Sequence, residues 1–526
     1  MLCHSAREDT EKKTGGNFKM KKFIALTLAT VMLFALCACK PTVQDNALSA
    51  DDVIKVVTQS HPSWPNDTDS KAWQYIREGT GVNLEVQAIP QTDYSTKLPL
   101  IFADANTLPD LIAFGSKPLT DTYAEQGALI ALDELGEHMP EYNAYISSLP
   151  EDEREGLLKP RRAYDGKIYY SPTHGRERMQ GVRAWLYRKD IFDKHNIAVP
   201  TTMDELYSAC KKLKELYPES YPFCMRSGMA FMCMIGSSWK EYFEVYEYYD
   251  YNNDEWNYGA TEDTMLDMIT YFKRMVDEKL IPADFFTINT TTWQELITTD
   301  KGFIFPDYQT RIDFFTPLAR VQNPEFTLTA MAPPVADAEE GASMLSKYNI
   351  DPYGYVICNT KDEERIAKAA KFLDWFYSAE AEELLSWGKE GETYNVVGGK
   401  RVYITDETGA QPNTLYGFST PGTVARFDPE AVDAFESELL SSTRELVLEH
   451  TVEYPNPKSY LGLTVEEQKI KTQDGAAIEV FVNEMVAKFV LGQEPLTGFD
   501  AFVEDVNEMG VDKVLEVYEN AYNRIK

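Results

Sequence analysis

The spacing of apolar and polar positions predicts alternating strands and helices in the first part of the chain. Residues 53–58 form a β-branched apolar run bounded by polar residues, which is typical of a buried strand. Residues 84–89 alternate between apolar and polar, and 110–114 are again apolar, so two further strands are predicted. Helical spacing over 70–78 and 93–104 places a helix between successive strands. This order is typical of a parallel α/β sheet that binds ligands beyond the carboxyl ends of its strands.

A second set of elements begins with a turn over 165–170 and a strand over 184–188. Thr202 and Glu205 have the spacing of a capping box, in which each side chain accepts a hydrogen bond from the other residue's backbone. Further strands are predicted at 303–305, 327–331 and 353–357, and two C-terminal helices are predicted at 478–490 and 499–509. The pattern predicts two lobes joined by several crossings of the chain, because no low-complexity linker separates them.

Residues 20–38 have the parts of an export signal. Lys21 and Lys22 give a positive start, and residues 23–36 are uncharged and apolar. This run is shorter than the roughly 20 residues that a membrane-spanning helix needs. Its end, Leu-Cys-Ala-Cys, resembles the lipobox of bacterial lipoproteins, which implies lipid attachment at Cys39 and a position outside the cytoplasmic membrane. The alternative is an uncleaved or soluble-secreted signal.

The segment before Met20 does not resemble an export signal. Residues 1–19 are polar, whereas a signal normally begins near its own start codon. Gly15-Gly16 can be encoded by a sequence that looks like a bacterial ribosome-binding site. We therefore expect translation to start at Met20, and we expect residues 39–51 to tether the folded part to the anchor.

The composition is that of a large soluble protein with an acidic surface. Of its 526 residues, 84 are acidic and 51 are basic, which gives a net charge of −33. This balance argues against nucleic acid or an anionic lipid surface as the primary partner. The spacings of Cys210, Cys224, Cys233 and Cys358 fit no zinc site, so free cysteines are expected, with a Cys224–Cys233 disulfide as the alternative. Neither a metal nor a cofactor is predicted.

Several short segments, taken together and in order, carry a family resemblance. They are Thr80-Gly81-Val82, Leu108-Pro109-Asp110-Leu111, DGKIYYSP at 165–172, YRKDIFDKHNIAVPTTMDEL at 187–206, KLIPADF at 279–285, FLDWFYSAEAEELLSWGKEGETY at 372–394 and the C-terminal helices after Pro495. Over residues 20–526 the chain resembles the family 1 extracellular solute-binding proteins of Gram-positive bacteria, the lipoprotein components of ABC sugar importers.

The resemblance implies a periplasmic-binding-protein-like fold, in which two α/β lobes and a hinge enclose a central ligand cleft. On this basis, residues 52–170 and about 305–395 are assigned to the first lobe, and residues 171–304 and about 396–526 to the second. The resemblance also implies an oligosaccharide ligand, ABC permease subunits as partners, and a lipid anchor at the extracellular face of the cytoplasmic membrane. A monomer without enzyme activity is expected.

Candidate ligand contacts follow from the chemistry of sugars, which present flat C–H faces and rings of hydroxyls. Aromatic rings stack on the faces, and polar side chains bind the hydroxyls. Trp64 and Asp67 come just after the first strand, and Trp239 follows a loop of small residues. The other candidates lie near predicted strand ends or in family-like segments: Trp293, Asp307, Tyr308, Tyr353, Trp387, Arg176 and Arg426. For each, the alternative is a packed ring or a solvated charge.

Two other functions remain open on the sequence alone. A surface-anchored glycan-degrading enzyme needs two suitably placed carboxylates, which this acidic chain can supply, although no hydrolase motif occurs. A peptide-binding receptor of the same fold would use a similar cleft. Residues 250–254 resemble the start of a calcium-binding loop, but Glu255 and Thr261 replace the glycine and glutamate of that motif, so a turn is predicted.

Overall fold

The computed structural model describes most of the chain after residue 47. The residues it describes are 48–62, 64–113, 117–163, 165–176, 182–226, 228–346, 354–406, 410–452, 457–459 and 461–526. Of these, Ser49–Lys526 belong to one compact unit. The predicted export signal, the lipid-attachment residue Cys39 and the candidate ligand contact Tyr353 lie outside the described residues.

The strands of the described part fall into two main sheets and three short pairs. In chain order they are β1 (Val53–Ser60), β2 (Asn83–Pro90), β3 (Leu111–Ala113), β4 (Leu129–Ile130), β5 (Arg183–Arg188), β6 (Glu247–Asp250), β7 (Glu255–Tyr258), β8 (Ile304–Tyr308), β9 (Leu328–Met331), β10 (Leu345–Ser346), β11 (Tyr355–Cys358), β12 (Tyr394–Val397), β13 (Lys400–Tyr403) and β14 (Thr451–Val452).

The first sheet has the strand order β2-β1-β3-β11-β4. As the alternating pattern predicts, β1 pairs in parallel with β2 and β3, whereas the later strand β11 is antiparallel to β3 and β4. Ile54, Val56 and Val57 of β1 and all of β3 are buried, which explains the apolar character of these positions. Because β1 runs parallel to its neighbours β2 and β3, the residues that follow it lie at their common carboxyl edge, where ligands of such sheets bind.

The second sheet is antiparallel, with β5 between β8 and β9. Successive side chains of a strand point to opposite faces, and Trp185 and Leu186 of β5 accordingly enter two different hydrophobic cores. At the end of β8, Tyr308 lies opposite Arg183, and Asp307 lies opposite Ala184. This register brings the start of β5 and the end of β8 to the same edge of the sheet.

Helices cover these sheets and form the C-terminal part of the chain. Their bounds are Lys71–Thr80, Gln91–Phe102, Lys117–Glu125, Pro140–Ser148, Glu151–Leu158, Lys189–His195, Met203–Leu216, Gly228–Ile235, Asp263–Asp277, Thr290–Thr298, Arg311–Arg320, Glu363–Trp375, Ala379–Ser386, Pro412–Leu415, Pro429–Phe435, Glu438–Ser441, Arg444–Glu449, Val465–Ile470, Ala476–Val490, Phe499–Glu508 and Val511–Asn523. The capping box of Thr202 and Glu205 is confirmed. Within the part of the chain described here, no helix has both the length and the apolar character that a membrane span needs.

The first helix extends further than its sequence pattern predicts. Lys71–Thr80 continues through Gly79 and ends at Gly81, which adopts a left-handed conformation with φ of 69°. Gly79 does not end the helix but allows the Trp375 ring to pack closely against it, because a Cβ atom at this position would lie 2.2 Å from Cζ2 of Trp375. A glycine inside a predicted helix can therefore mark a close contact and not only a helix end.

Two segments run side by side where the chain passes between the sheets. The backbone N–H of His174 donates to the carbonyl of Ala425, and the N–H of Phe427 donates to the carbonyl of His174. Gly175 permits this approach, since its φ is 92° and a Cβ atom there would lie 1.8 Å from the Phe427 carbonyl oxygen. We propose that the paired segments form part of the hinge between the two lobes.

The lobe boundaries drawn from the sequence stay a prediction, and the strand pairing leads us to propose two changes. Because β8 and β9 both pair with β5, we propose that residues 304–346 lie with the second lobe rather than with the first. Tyr403 stacks on Trp387 at 5.0 Å, and Ala72 N–H donates to the Tyr416 carbonyl. We therefore propose that residues 396–422 lie with the first lobe.

Candidate functional site

Three arginine side chains surround one carboxylate at the edge of the second sheet. Asp307, near the end of β8, accepts from Nε of Arg226 at 2.7 Å and from Nη2 of the same side chain at 3.2 Å. Nε of Arg311, in the first turn of the next helix, donates to Asp307 at 3.1 Å. Nη1 of Arg183, at the start of β5, lies 3.7 Å from the same carboxylate. We call these four residues the arginine cluster.

The electrostatics of the arginine cluster follow from its burial. Asp307 is 3% exposed. Burial alone would raise the pKa of its carboxyl group, but the charges of Arg311, Arg226 and Arg183 outweigh burial and hold this pKa well below its ordinary value. Burial and the neighbouring charge of Arg226 lower the pKa of Arg311, although Asp307 acts in the opposite direction. The carboxylate is therefore ionised at every physiological pH, and positive charges are in excess around it.

Aromatic rings fix the positions of these guanidinium groups. The guanidinium of Arg183 lies 3.6 Å from the ring centroid of Tyr308. Those of Arg226 and Arg311 lie 5.3 and 5.4 Å from the ring of Trp293, which is fully buried. Cation–π attraction and packing thus support the cluster from its protein side.

A stacked pair of rings follows the first strand, and two arginines of the cluster act electrostatically on one of these rings. His61 and Trp64 follow β1, and their ring centroids are 3.9 Å apart with the planes 9° from parallel. Burial, with the positive charges of Arg311 and Arg226, lowers the pKa of His61 to about 4. Since Arg226 and Arg311 are both bound to Asp307 of the second sheet, we infer that the rings after β1 and the cluster face each other from the two lobes.

The structure brings together some of the site residues that the sequence predicts. Asp307 and Tyr308 lie in or beside the arginine cluster, and Trp293 lies beneath it as a buried support. Trp64 stacks on His61, whose pKa the charges of Arg311 and Arg226 lower. Asp67 is exposed and accepts a hydrogen bond from the backbone of Asp69, which is an ordinary turn contact. No contact of Asp67 with the cluster is seen within the described residues.

Trp239 and Trp387 lie in packed regions away from the cluster. Trp239 is 7% exposed and packs edge-on against Tyr271 in the larger core. Trp387 is 2% exposed and donates from Nε1 to Asp428 at 2.6 Å. The burial favours the packed-ring alternative for both tryptophans, and their contact with a ligand stays a prediction.

Arg176 and Arg426 belong to the two backbone segments that pair through His174, Ala425 and Phe427. Arg426 forms an ion pair with Glu382 at 2.6 Å, and its guanidinium lies 4.5 Å from the ring of Tyr145. Arg176 is 7% exposed. Arg426 thus has partners within the protein, and the predicted role of both arginines in ligand binding stays a prediction.

Sequence reasoning missed the three arginines, His61 and Asn66. Asn66 is buried, donates to the Pro421 carbonyl at 2.7 Å and accepts from Nε1 of Trp73 at 2.7 Å, so it ties the loop after β1 to the rest of the first lobe. One signal was present for Arg311, which lies four residues after Asp307 at the start of a helix. The sequence criteria favoured tryptophan and did not include an aspartate and an arginine four residues apart.

Residues 250–254 form a hairpin turn between β6 and β7, as predicted. Asp250 accepts hydrogen bonds from the backbone N–H groups of Asn252 and Asn253. Nζ of Lys240 lies 3.6 Å from Asp250 and 2.7 Å from Glu262, so an ammonium group occupies the space between these carboxylates. In the described ranges no three His, Cys, Asp or Glu residues are grouped to hold a metal ion.

The four cysteines of the described region are free, as the sequence analysis expects. Burial raises the pKa values of the Cys210, Cys224, Cys233 and Cys358 thiols. These thiols therefore remain protonated, and they serve as packing residues.

The two sheets with their covering helices have the architecture of a two-lobed α/β protein, and a charged cluster lined by aromatic rings lies at the edge of the second sheet. A sequence model of the bacterial extracellular solute-binding proteins matches residues 63–383, which is more than half of the chain. The chain belongs to this family. The family resemblance and the fold class predicted from the sequence are thereby confirmed.

Similar proteins extend over nearly the whole chain. Over 96% of its length the chain is 22% identical to lipoprotein LipO of Bacillus subtilis (strain 168), of which the match covers 99%. The same share of the chain is 21% identical to the polygalacturonan/rhamnogalacturonan-binding protein YtcQ of that strain, again with 99% of the relative covered. The crystal structure of the alginate-binding protein AlgQ2 superimposes with a TM-score of 0.73 at 21% identity, over 91% of this chain and 99% of that chain. At this identity the structural likeness establishes the fold.

Proposed function

We propose that this protein is a lipid-anchored extracellular binding protein that captures an oligosaccharide between its two lobes and delivers it to the permease of an ABC importer. The proposal is supported by family membership and by relatives whose names specify polysaccharides as ligands. The anchor would be a lipid on Cys39, and similarity to a lipoprotein over nearly the whole chain supports this assignment.

The main support for the proposal is that aromatic rings and hydrogen-bonding groups occur together at the facing edges of the lobes. Trp64, which is partly exposed, offers a flat face to a sugar ring. Arg183 and Arg226 keep 19% and 20% of their side chains exposed, so their guanidinium groups can donate to the oxygens of a sugar. A ligand touching both sides would make its full set of contacts only when the lobes are closed, so binding would shift the population toward the closed state.

A thermal-unfolding screen tests this proposal. The purified protein is heated with neutral oligosaccharides, acidic oligosaccharides and short peptides, since a ligand that binds the folded state raises the melting temperature according to its affinity and concentration. We expect stabilisation by one series of glycans. Stabilisation by peptides alone would contradict the oligosaccharide assignment and favour a peptide receptor of the same fold.

The same samples separate a binding protein from a glycan-degrading enzyme. Chromatography after long incubation should show glycans of unchanged chain length, because binding proteins release what they bind. Shortened products would contradict the proposed function. The contacts of Tyr353, Trp239, Trp387, Asp67, Arg176 and Arg426 with a ligand stay predictions within this proposal.

A further inference from the structure

We infer that the ligand is an acidic oligosaccharide whose carboxylate groups bind the guanidinium groups of Arg183 and Arg226. This inference rests on the proposed function and names the substrate class of the same site. The observations that carry it are the composition of the arginine cluster, the hydrogen bonds that Asp307 has already formed, and the partners of arginines elsewhere in the chain.

The arginine cluster holds more positive than negative charge. Arg183, Arg226 and Arg311 share the single carboxylate of Asp307, and no other carboxylate forms an ion pair with any of the three within the described residues. Nε of Arg183 is buried and donates no hydrogen bond to any group in the same residues. A buried donor without an acceptor is costly, and an acidic ligand would supply the missing acceptor.

Two other arginines of the described residues have the opposite balance. Arg188 is fully buried and is shared between two carboxylates, Asp190 and Asp300. Arg444 also has two carboxylate partners, Asp433 and Glu436. In a chain with a net charge of −33, three arginines around one carboxylate at the facing edges of the lobes are a local reversal of charge. Such a reversal is suited to a ligand that brings negative charge of its own.

Asp307 is not available to bind the hydroxyls of a neutral sugar. Its Oδ1 accepts from the Tyr308 backbone at 2.7 Å, from Arg226 and from Arg311, and its Oδ2 accepts from Arg226. With 3% of its surface exposed, Asp307 acts as a positioning residue for the guanidinium groups. The exposed polar groups of the cluster are therefore hydrogen-bond donors, and guanidinium forks match the geometry of a carboxylate.

The test uses two ligands that share one backbone. Calorimetric titrations of the purified protein compare trigalacturonate with its fully methyl-esterified form, which keeps the sugar rings and loses the charges. We expect the ester to bind at least about 10-fold more weakly than the acid, since charge-assisted hydrogen bonds are the stronger ones. A higher salt concentration should weaken the binding of trigalacturonate and leave the binding of the ester unchanged. Neutral oligosaccharides of fructose and mannose are titrated in parallel.

Arg183→Gln is the test variant because Asp307 keeps its closer contacts with Arg226 and Arg311. We expect it to weaken trigalacturonate binding by about 10- to 100-fold and to leave the melting temperature of the free protein within a few degrees. Arg274→Gln is the matched control. The guanidinium of Arg274 lies 3.9 Å from the ring of Tyr207, and its Nη2 lies 3.3 Å from Asp204, on a helix outside the cluster. This control should bind as the unaltered protein does.

The outcomes separate this inference from the proposed function. Equal binding of acid and ester, or tight binding of a neutral oligosaccharide with none of trigalacturonate, would overturn the acidic-ligand inference and leave the oligosaccharide function standing. Binding of trigalacturonate that Arg183→Gln does not alter would overturn the assignment to the arginine cluster. Absence of binding to every glycan would contradict both proposals.

Discussion

Arg226 holds Asp307 with two parallel hydrogen bonds, from Nε at 2.7 Å and from Nη2 at 3.2 Å, although the two residues are 81 positions apart in the sequence. This contact fixes the loop after Phe223 to the end of β8. It also leaves the carboxylate with little capacity for other donors, so the arginines, and not the aspartate, face the space between the lobes.

Asp307→Asn should destabilise the protein. The amide cannot neutralise three neighbouring guanidinium groups, and breaking a buried ion pair typically costs about 3–5 kcal/mol. Urea unfolding measures the change in the free energy of unfolding. Asp193→Asn is a suitable control because Asp193 is largely exposed and pairs only with Lys189, so its effect should stay within about 0.5 kcal/mol. Equal stabilities of the two variants would contradict the structural role of Asp307.

Two tryptophans should respond differently to replacement by alanine. Trp239 packs in the larger core, so Trp239→Ala should lower the free energy of unfolding by about 3–5 kcal/mol. Trp64 is partly exposed and stacks on His61, so Trp64→Ala should cost about 1 kcal/mol or less. Chemical denaturation of both variants measures this difference. A large loss of stability for Trp64→Ala and a small one for Trp239→Ala would contradict the placement of the two rings.

His61 should report the charge of a bound ligand. Its pKa is lowered from 6.5 to about 4 by burial, Arg311 and Arg226. A carboxylate bound beside the arginines would offset their charge, so an acidic glycan should raise the pKa of His61, while the esterified glycan should not. NMR titration of the imidazole, assigned with His61→Gln, gives both values. An unchanged pKa in the saturated acidic complex would place the carboxylate elsewhere.

Asp374 should make the stability depend on pH between about 4 and 6. Burial raises the pKa of its carboxyl group from 3.8 to about 6, although backbone N–H groups, including that of Tyr142, donate to it. The folded state therefore binds the proton more tightly than the unfolded state does. The stability from this group is fully present below the unfolded pKa and is lost as the pH rises through the folded pKa.

Asp374→Asn removes this dependence and keeps an oxygen that can accept from Tyr142. Relative to the unaltered protein, the variant should gain about 2–3 kcal/mol in the free energy of unfolding between pH 4 and pH 7. Unfolding curves at several pH values measure the difference. Curves that stay parallel over this range would show that the carboxyl group of Asp374 titrates at its ordinary pKa.

Local sequence patterns predicted most of the elements but not the long-range pairing of the lobes. β1, the helix after it and the capping box of Thr202 depend on neighbouring residues, so apolar spacing and hydrogen-bonding side chains were sufficient to find them. The pairing of β9 with β5 joins residues more than 100 positions apart, and no local pattern specifies it. Local patterns alone therefore do not define the lobe boundaries.

The residues of the candidate site also divide into those that local sequence patterns identify and those that depend on the pairing of distant segments. Trp64, Asp307 and Tyr308 follow or end strands, and ligands bind at strand ends in such folds, so the sequence could place them. Residue type alone did not distinguish Trp64 from Trp239, because tryptophan occurs in hydrophobic cores as well as in ligand clefts. Arg183 could not be predicted as a contact, since its carboxylate partner is known only from the register of the second sheet.

The central claim is that an oligosaccharide binds at the facing edges of the lobes against Trp64. Calorimetric titration of the protein and of Trp64→Ala with the glycan that stabilises the protein most tests this directly. We expect the alanine variant to bind about 1–3 kcal/mol more weakly, as loss of a stacked ring predicts, and Trp64→Phe to recover most of the affinity. Equal affinities of the protein and Trp64→Ala, or no heat with any glycan, would contradict the account.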